Sequence, residues 1–70
     1  MGDLVMRAAN ELGLGEHVFV REFPETPDPL VTVSYPPRAV QSRIPAYYFM
    51  DGDLRQVKVI LNDLARMAQQ

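Results

Sequence analysis

The sequence predicts an α+β fold in which a three-stranded antiparallel sheet packs against two helices on one of its faces. Apolar residues recur with helical spacing near both ends of the chain, and β-branched and aromatic residues concentrate between them. The resulting order is α-β-β-β-α, for which two layers are the simplest arrangement. The 70 residues have room for one core, so we expect residues 1–70 to form a single small globular domain.

The first helix is predicted over residues 3–12, where five apolar residues fall on one face: Leu4, Val5, Ala8, Ala9 and Leu12. Asp3 is expected to cap its N-terminus and to pair with Arg7 one turn later. Gly13 suits the left-handed position that ends many helices, and Leu14 suits the hydrophobic contact that follows it. A helix this short is stable only when it packs against another element.

Two strands are predicted next, His17–Phe23 and Leu30–Tyr35, joined as an antiparallel hairpin. In the first strand neither face is uniformly apolar. The second strand alternates more regularly, with apolar and aromatic residues on one face and hydroxyls on the other: Val31, Val33 and Tyr35 against Thr32 and Ser34. The segment Pro24–Pro29 is predicted to be the turn, because its three prolines cannot donate hydrogen bonds to a neighbouring strand.

The stretch after the second strand is harder to assign. Pro36 and Pro37 end that strand, and Arg38–Ile44 fits either a short helical turn or an irregular connection that Pro45 closes. Ala46–Met50 is rich in aromatic residues, which favour strands, and is the candidate for the third strand.

The last helix is predicted from Leu54 to about Ala68, with Val59 as an isolated exposed apolar residue. Its apolar side spans roughly 160° of the helical wheel and contains seven residues: Leu54, Val57, Ile60, Leu61, Leu64, Met67 and Ala68. The segment 51–53 forms the turn before it. Asp53 is the expected N-cap, and Gln56 three residues later matches a capping box.

Composition narrows the classes of function. The chain has a net charge of −2, a single lysine, no cysteine and no apolar run long enough to cross a membrane. These properties predict a cytoplasmic protein that has no membrane partner. A sequence pI near 5.1 argues against nucleic acid as the partner, because phosphate contacts need several lysines or arginines on one surface.

No catalytic or cofactor-binding motif is present in the sequence. The glycines at 13 and 15 precede a strand, whereas a phosphate-binding loop follows one. Turn and capping chemistry account for Asp51 and Asp53. His17, the only histidine, begins a strand, where a structural role is the simpler interpretation. We therefore expect a protein that is not an enzyme and that uses no catalytic residue, cofactor or metal ion.

The main candidate for function is a central segment rich in arginine and tyrosine. No acidic residue lies between Asp28 and Asp51, and this window contains the five residues that we predict to bind a partner: Tyr35, Arg38, Arg43, Tyr47 and Tyr48. Arginine and tyrosine are enriched at the energetic centres of protein interfaces, and they also stack on bases and contact phosphates. The alternative is that the aromatic residues belong to the core and that the arginines keep a loop soluble.

The sequence therefore predicts a small protein-binding module of inhibitor or adaptor type. It would act through the central segment or through an exposed sheet edge, on a protein partner of unknown identity. Formation of a homodimer is a competing use of the same surface, because it would bury apolar area that a short chain cannot cover alone.

The element order resembles that of double-stranded RNA-binding domains and of the related HicA-type mRNA interferase toxins. The resemblance implies RNA binding or RNA cleavage as the alternative function. Two family features are missing: the last helix begins Asp53-Leu54-Arg55 instead of with a basic cluster, and the toxins' Gly-Ser-His-His strand has its nearest counterpart in Glu16-His17-Val18. No site residue carries over from either family.

Overall fold

A computed structural model describes residues 2–70 and confirms the predicted α+β class. The sheet has the order β1-β2-β3 with both pairs antiparallel. No helix in the described part of the chain is long and apolar enough to cross a membrane. In chain order the elements are α1 (Gly2–Glu11), β1 (Val18–Phe23), β2 (Thr26–Tyr35), β3 (Arg38–Arg43), α2 (Tyr47–Met50) and α3 (Leu54–Gln69).

Helix α1 ends with the glycine motif that the sequence predicts. Gly13 adopts a φ of +74°, its N–H donates to the Asn10 carbonyl, and the Leu14 N–H donates to the Ala9 carbonyl at 2.7 Å. This pair of bonds is a Schellman motif, and Leu14 is buried beside it. The predicted pair between Asp3 and Arg7 is wrong. The helix begins one residue earlier, and Arg7 instead contacts Glu11 at 3.2 Å.

A second ion pair links the two long helices. Lys58 on α3 donates to a carboxylate oxygen of Glu11 on α1 at 2.7 Å. The hydrogen bond and charge of Lys58, with those of Arg7, lower the pKa of Glu11 below its usual 4.5, although desolvation opposes them. Because the pKa of Glu11 is lower in the folded state than in the unfolded chain, its ion pairs stabilise the fold fully at pH values above the unfolded-state pKa. This stabilisation is lost as the pH falls through the folded-state pKa.

We expect Glu11→Gln to lower the melting temperature at neutral pH, because the link between α1 and α3 loses its charge. The gap between this variant and the wild type should begin to narrow near pH 4.5 and close as the pH falls through the lower folded-state pKa of Glu11, where the folded wild type becomes protonated as well. Thermal unfolding followed by circular dichroism at several pH values measures the gap. Glu16→Gln is the control, because Glu16 is exposed and has no cation within salt-bridge distance among residues 2–70. A gap that does not change with pH would contradict the assignment.

The prediction for α3 is confirmed, with small changes at its ends. The helix buries Val57, Leu61, Leu64, Ala65 and Ala68, whereas Met67, predicted on the apolar side, is 49% exposed and Val59 is 50% exposed. The Asp53 side chain accepts a hydrogen bond from the backbone N–H of Gln56, as expected for the N-cap. The backbone N–H of Asp53 donates to the Tyr48 carbonyl, so half of the predicted capping box is present.

Strand β2 begins earlier than predicted. The turn is only two residues long, and the strand runs through Pro27 and Pro29. These prolines lie beside an irregularity in the β1–β2 pairing, between Arg21 and Phe23, and before Leu30, where pairing with β3 begins. The sheet therefore does not need their missing N–H groups, which is the setting in which a strand tolerates proline.

The predictions for the third strand were wrong. The strand is Arg38–Arg43, joined to β2 by Pro36-Pro37, whose peptide bond is cis. Ala46–Met50, predicted as that strand, instead contains the short helix α2 (Tyr47–Met50). The aromatic preference for strands reflects packing against a half-buried surface. In α2, Tyr48 and Phe49 reach the core from the helix instead.

Both long helices cover the same face of the sheet. Helix α1 packs on β1, and α3 packs on β2 and β3. Val31 and Val33 of β2 are fully buried beneath them, together with Leu61 of α3 and Ile44 just after β3. Among residues 2–70, no element covers the opposite face of the sheet.

Candidate functional site

We call the uncovered side of the sheet the open face. Because side chains alternate along a strand and Val31 and Val33 face the core, their neighbours in β2 face the other way. The register places two rows of residues across the open face: Phe19, Thr32 and Gln41 in the first, and Arg21, Leu30 and Arg43 in the second. The Phe19 side chain is 59% exposed there.

The two arginines of the open face flank one aromatic ring. The guanidinium carbons of Arg21 and Arg43 lie 5.9 and 5.3 Å from the ring centre of Phe23, which is within the range of cation–π contacts. Arg43 also donates to the backbone carbonyl of Asp28 at 3.1 Å. Neither guanidinium has a carboxylate within 4.0 Å among residues 2–70. Both charges are therefore oriented but not neutralised.

A shallow depression of about 300 Å³ lies on the open face. It is lined by Phe19, Val20, Arg21, Leu30, Thr32 and Gln41. Its walls combine aromatic, aliphatic, amide and guanidinium groups, and it is open to solvent. Such a surface suits a side chain of another macromolecule better than it suits an enclosed small molecule.

Strand β3 forms one edge of the sheet, and its outer side has no strand beside it in the described part of the chain. The Ile44 N–H donates to the Pro29 carbonyl, which identifies the hydrogen-bonded pairs of the β2–β3 ladder. Because hydrogen-bonded and non-hydrogen-bonded pairs alternate in an antiparallel ladder, the N–H and C=O groups of Ala39, Gln41 and Arg43 point away from β2. This edge therefore offers backbone donors and acceptors that the β2–β3 ladder does not use, although the Ser42 hydroxyl donates to the Arg43 carbonyl at 3.4 Å.

The five residues predicted to bind a partner fall into two groups. Arg38 and Arg43 are five residues apart on β3, a separation of about 17 Å. Tyr35 pairs with Arg38 at one end of the sheet. Arg43, Tyr47 and Tyr48 lie at the other end. The structure therefore does not bring the five side chains into one cluster.

Asp28 organises the end of the sheet that contains Arg43. Its carboxylate accepts a hydrogen bond from the backbone N–H of Ala46 at 2.8 Å, and its carbonyl accepts from Arg43. The Tyr47 and Tyr48 rings, next in the chain, are 4.4 Å apart. The Tyr48 phenol raises the pKa of Tyr47, and desolvation and the Asp28 charge act in the same direction. Tyr47 is 56% exposed, whereas Tyr48 is partly buried against the core.

Tyr35 and Arg38 lie at the other end, beside a shallow groove of about 340 Å³ between the β2–β3 turn and the C-terminus of α3. The Tyr35 ring stacks on His17 with the ring centres 4.0 Å apart. His17 Nδ1 is 2.9 Å from the Ser34 carbonyl, and because a carbonyl only accepts, this nitrogen carries the proton. Stacking on Tyr35 and the hydrogen bond to Ser34 thus give His17 a structural role just before β1 begins.

Sequence reasoning missed most of the open face. It grouped residues by position in the chain, whereas the open face takes Phe19 and Arg21 from β1, Leu30 from β2 and Gln41 from β3. The alternation of β1 was the available signal, because it separates Val18 and Val20 from Phe19 and Arg21. Without the β1–β2 register, it did not show which of those two sets faced the helices.

The open face and the β3 edge contain no arrangement typical of a metal centre, and no group of three or more His, Cys, Asp or Glu residues within 2–70 is placed to hold a metal ion. Comparisons of this chain with models of protein families, with curated proteins and with solved structures find no match.

Proposed function

We propose that this chain is a small non-enzymatic protein-binding module, of inhibitor or adaptor type, whose partner docks on the open face and the β3 edge. The observation that carries the proposal is the combination of a 59% exposed Phe19 with two arginines that have no carboxylate partner on the same surface. A large aromatic side chain left in water on a sheet face, beside oriented charges, is typical of an interface.

The docking surface proposed here is larger than the surroundings of Phe19. An interface of standard size takes roughly 800 Å² from each partner, out of the 4528 Å² that the described chain exposes. Arg43 lies on the open face, and the exposed Tyr47 follows β3 at the same end of the sheet. Of the five residues predicted from the sequence, Arg43 and Arg38 also lie at the two ends of the β3 edge.

The proposal predicts that Phe19→Ser reduces capture of the native protein partner from a cell extract about tenfold or more, as expected for loss of an aromatic residue at the energetic centre of an interface. The tagged chain serves as bait, and quantitative mass spectrometry identifies proteins that the wild type enriches. Val59→Ser is the matched control, because Val59 is 50% exposed on the other side of the molecule.

Partners retained by Val59→Ser and lost by Phe19→Ser would support the open face as the docking surface. Equal capture by both variants would overturn it. Circular dichroism of each variant shows whether the fold is intact, and Arg43→Ala provides a second test on the same surface without removing any apolar group.

Two competing uses of the surface give different results. A homodimer would show twice the monomer mass of 7.9 kDa in light scattering, and Phe19→Ser would restore the monomer. RNA binding is favoured by one observation, since an exposed phenylalanine beside arginines is also a stacking platform for unpaired bases. That alternative predicts affinity for single-stranded RNA that falls steeply with added salt.

A further inference from the structure

We propose that the partner contributes an extended acidic segment that adds to the outer edge of β3 as a fourth strand, with its carboxylates against Arg43 and Arg38. This inference rests on the proposed function and specifies the chemistry of the partner. Strand addition uses main-chain hydrogen bonds for affinity and alternate side chains for specificity.

The backbone of β3 is suited to receive a strand. The groups that point outward belong to Ala39, Gln41 and Arg43, which are the alternate residues that a new neighbour would engage. Pro37 precedes this stretch and Pro45 follows it, so the available edge is one short strand. Ala39 has almost no side chain to obstruct an approaching backbone, and Gln41 is exposed.

The charge of β3 specifies an acidic partner. The strand contains two arginines and no acidic residue, although the whole chain has a net charge of −2. Within residues 2–70 neither Arg38 nor Arg43 has a carboxylate within 4.0 Å. Since the two arginines are five positions apart on one strand, they lie on opposite faces of the sheet. An added strand with carboxylates on both faces would neutralise both.

Arg43 is already held in position for this contact. Its guanidinium donates to the Asp28 carbonyl and lies 5.3 Å from the Phe23 ring centre, so little side-chain freedom remains to be lost on binding. The planar guanidinium can bind both oxygens of one carboxylate. Directly opposed residues on neighbouring strands have Cβ atoms about 5 Å apart, which is within reach of such a pair.

Fluorescence anisotropy with synthetic peptides tests the chemistry. The probes are labelled eight-residue peptides in which two valines alternate with two glutamates, two glutamines or two lysines, so that both faces of the added strand carry the tested side chain. We expect the glutamate peptide to bind about tenfold more tightly than the glutamine peptide at low salt, and the lysine peptide not to bind. Arg43→Gln should remove most of the preference for glutamate. Arg55→Gln, on the exposed side of α3, should leave it unchanged.

The mode of binding is tested by blocking hydrogen bonds at the edge. Gln41→Pro removes an outward N–H that the β2–β3 ladder does not use, and it should weaken peptide binding at least about tenfold, whereas Gln41→Ala keeps the N–H and should not. A test on the unaltered protein uses the glutamate peptide, methylated on the backbone nitrogens of either its odd-numbered or its even-numbered residues. One methylated series should lose binding and the other should keep it.

Three results would each overturn the proposal of an added acidic strand. They are equal affinity for the glutamate and glutamine peptides, full binding by both methylated series, and tighter binding of a single-stranded oligouridine. The proposed function is tested by a separate result. If Phe19→Ser abolishes partner capture while Arg43→Gln and Gln41→Pro, shown to be folded, leave it intact, the chain binds a protein through the open face but not through an added acidic strand.

Discussion

Leu61→Ala is expected to leave most of the protein unfolded at physiological temperature. Leu61 lies in the middle of α3, has no solvent exposure and belongs to the single core cluster that joins the helices to the sheet. Truncation of a fully buried leucine costs about 2–5 kcal/mol, because the lost burial adds to the cavity left behind. A core in a chain of this size rarely supplies more than about 3–5 kcal/mol of net stability.

Urea unfolding followed by circular dichroism measures the effect. Val59→Ala is the matched control, because Val59 lies on the same helix but is half exposed, and it should change the free energy of unfolding by less than about 1 kcal/mol. Leu61→Ala with a free energy of unfolding within about 1 kcal/mol of the wild type would mean that α3 does not pack on the sheet through this residue.

Ile44→Ala is the second substitution with a large expected effect. Ile44 follows β3 directly and is fully buried. With Leu61, it is one of the largest side chains that have no solvent exposure. Its N–H donates to the Pro29 carbonyl, so the residue also closes the β2–β3 ladder beside the bulged start of β2. We expect a loss of about 2–5 kcal/mol of unfolding free energy.

A graded series distinguishes packing from backbone effects at this position. Ile44→Val removes one methylene and should cost only about 0.5–1.5 kcal/mol. Arg43→Ala, one residue earlier but exposed, should cost no more than about 1 kcal/mol, through the lost hydrogen bond to the Asp28 carbonyl. If Ile44→Val and Ile44→Ala destabilise equally, the volume of the cavity is not the cause of the loss, since both variants keep the backbone hydrogen bond to Pro29.

The fold class was predictable because the elements at both ends of the chain have strong local signals. Helix α3 has a long amphipathic repeat and a side-chain cap, and α1 ends at a glycine that takes positive φ. The middle was not predictable from the same rules. Prolines at 27 and 29 normally exclude a strand, and here they are tolerated because pairing is interrupted beside them.

The third strand shows why local preference was insufficient. Arg38–Arg43 contains alanine, glutamine and serine, which favour strands weakly, whereas Ala46–Met50 is aromatic and does so strongly. The two-residue connection at Pro36-Pro37 returns the chain antiparallel to β2, and this tertiary pairing determined the outcome.

The candidate site was predictable only in part. The window without acidic residues includes both arginines of β3, whose charges have no carboxylate partner in the described structure. The window could not include Phe19 and Arg21, since they come from a strand about twenty residues earlier and meet Arg43 only through the register of the sheet. Long-range pairing of this kind leaves no trace in local composition.

The prolines on either side of β3 have a consequence for aggregation. An exposed edge strand is a template on which further copies of a chain can stack, and long, flat, proline-free edges support such growth. Here the Pro36-Pro37 turn and Pro45 bound the edge, and arginines occupy both ends of the strand between them. Like charges would oppose each other if two copies paired edge to edge in parallel. The same residues that leave β3 open to a partner therefore protect the protein against forming fibrils through that edge.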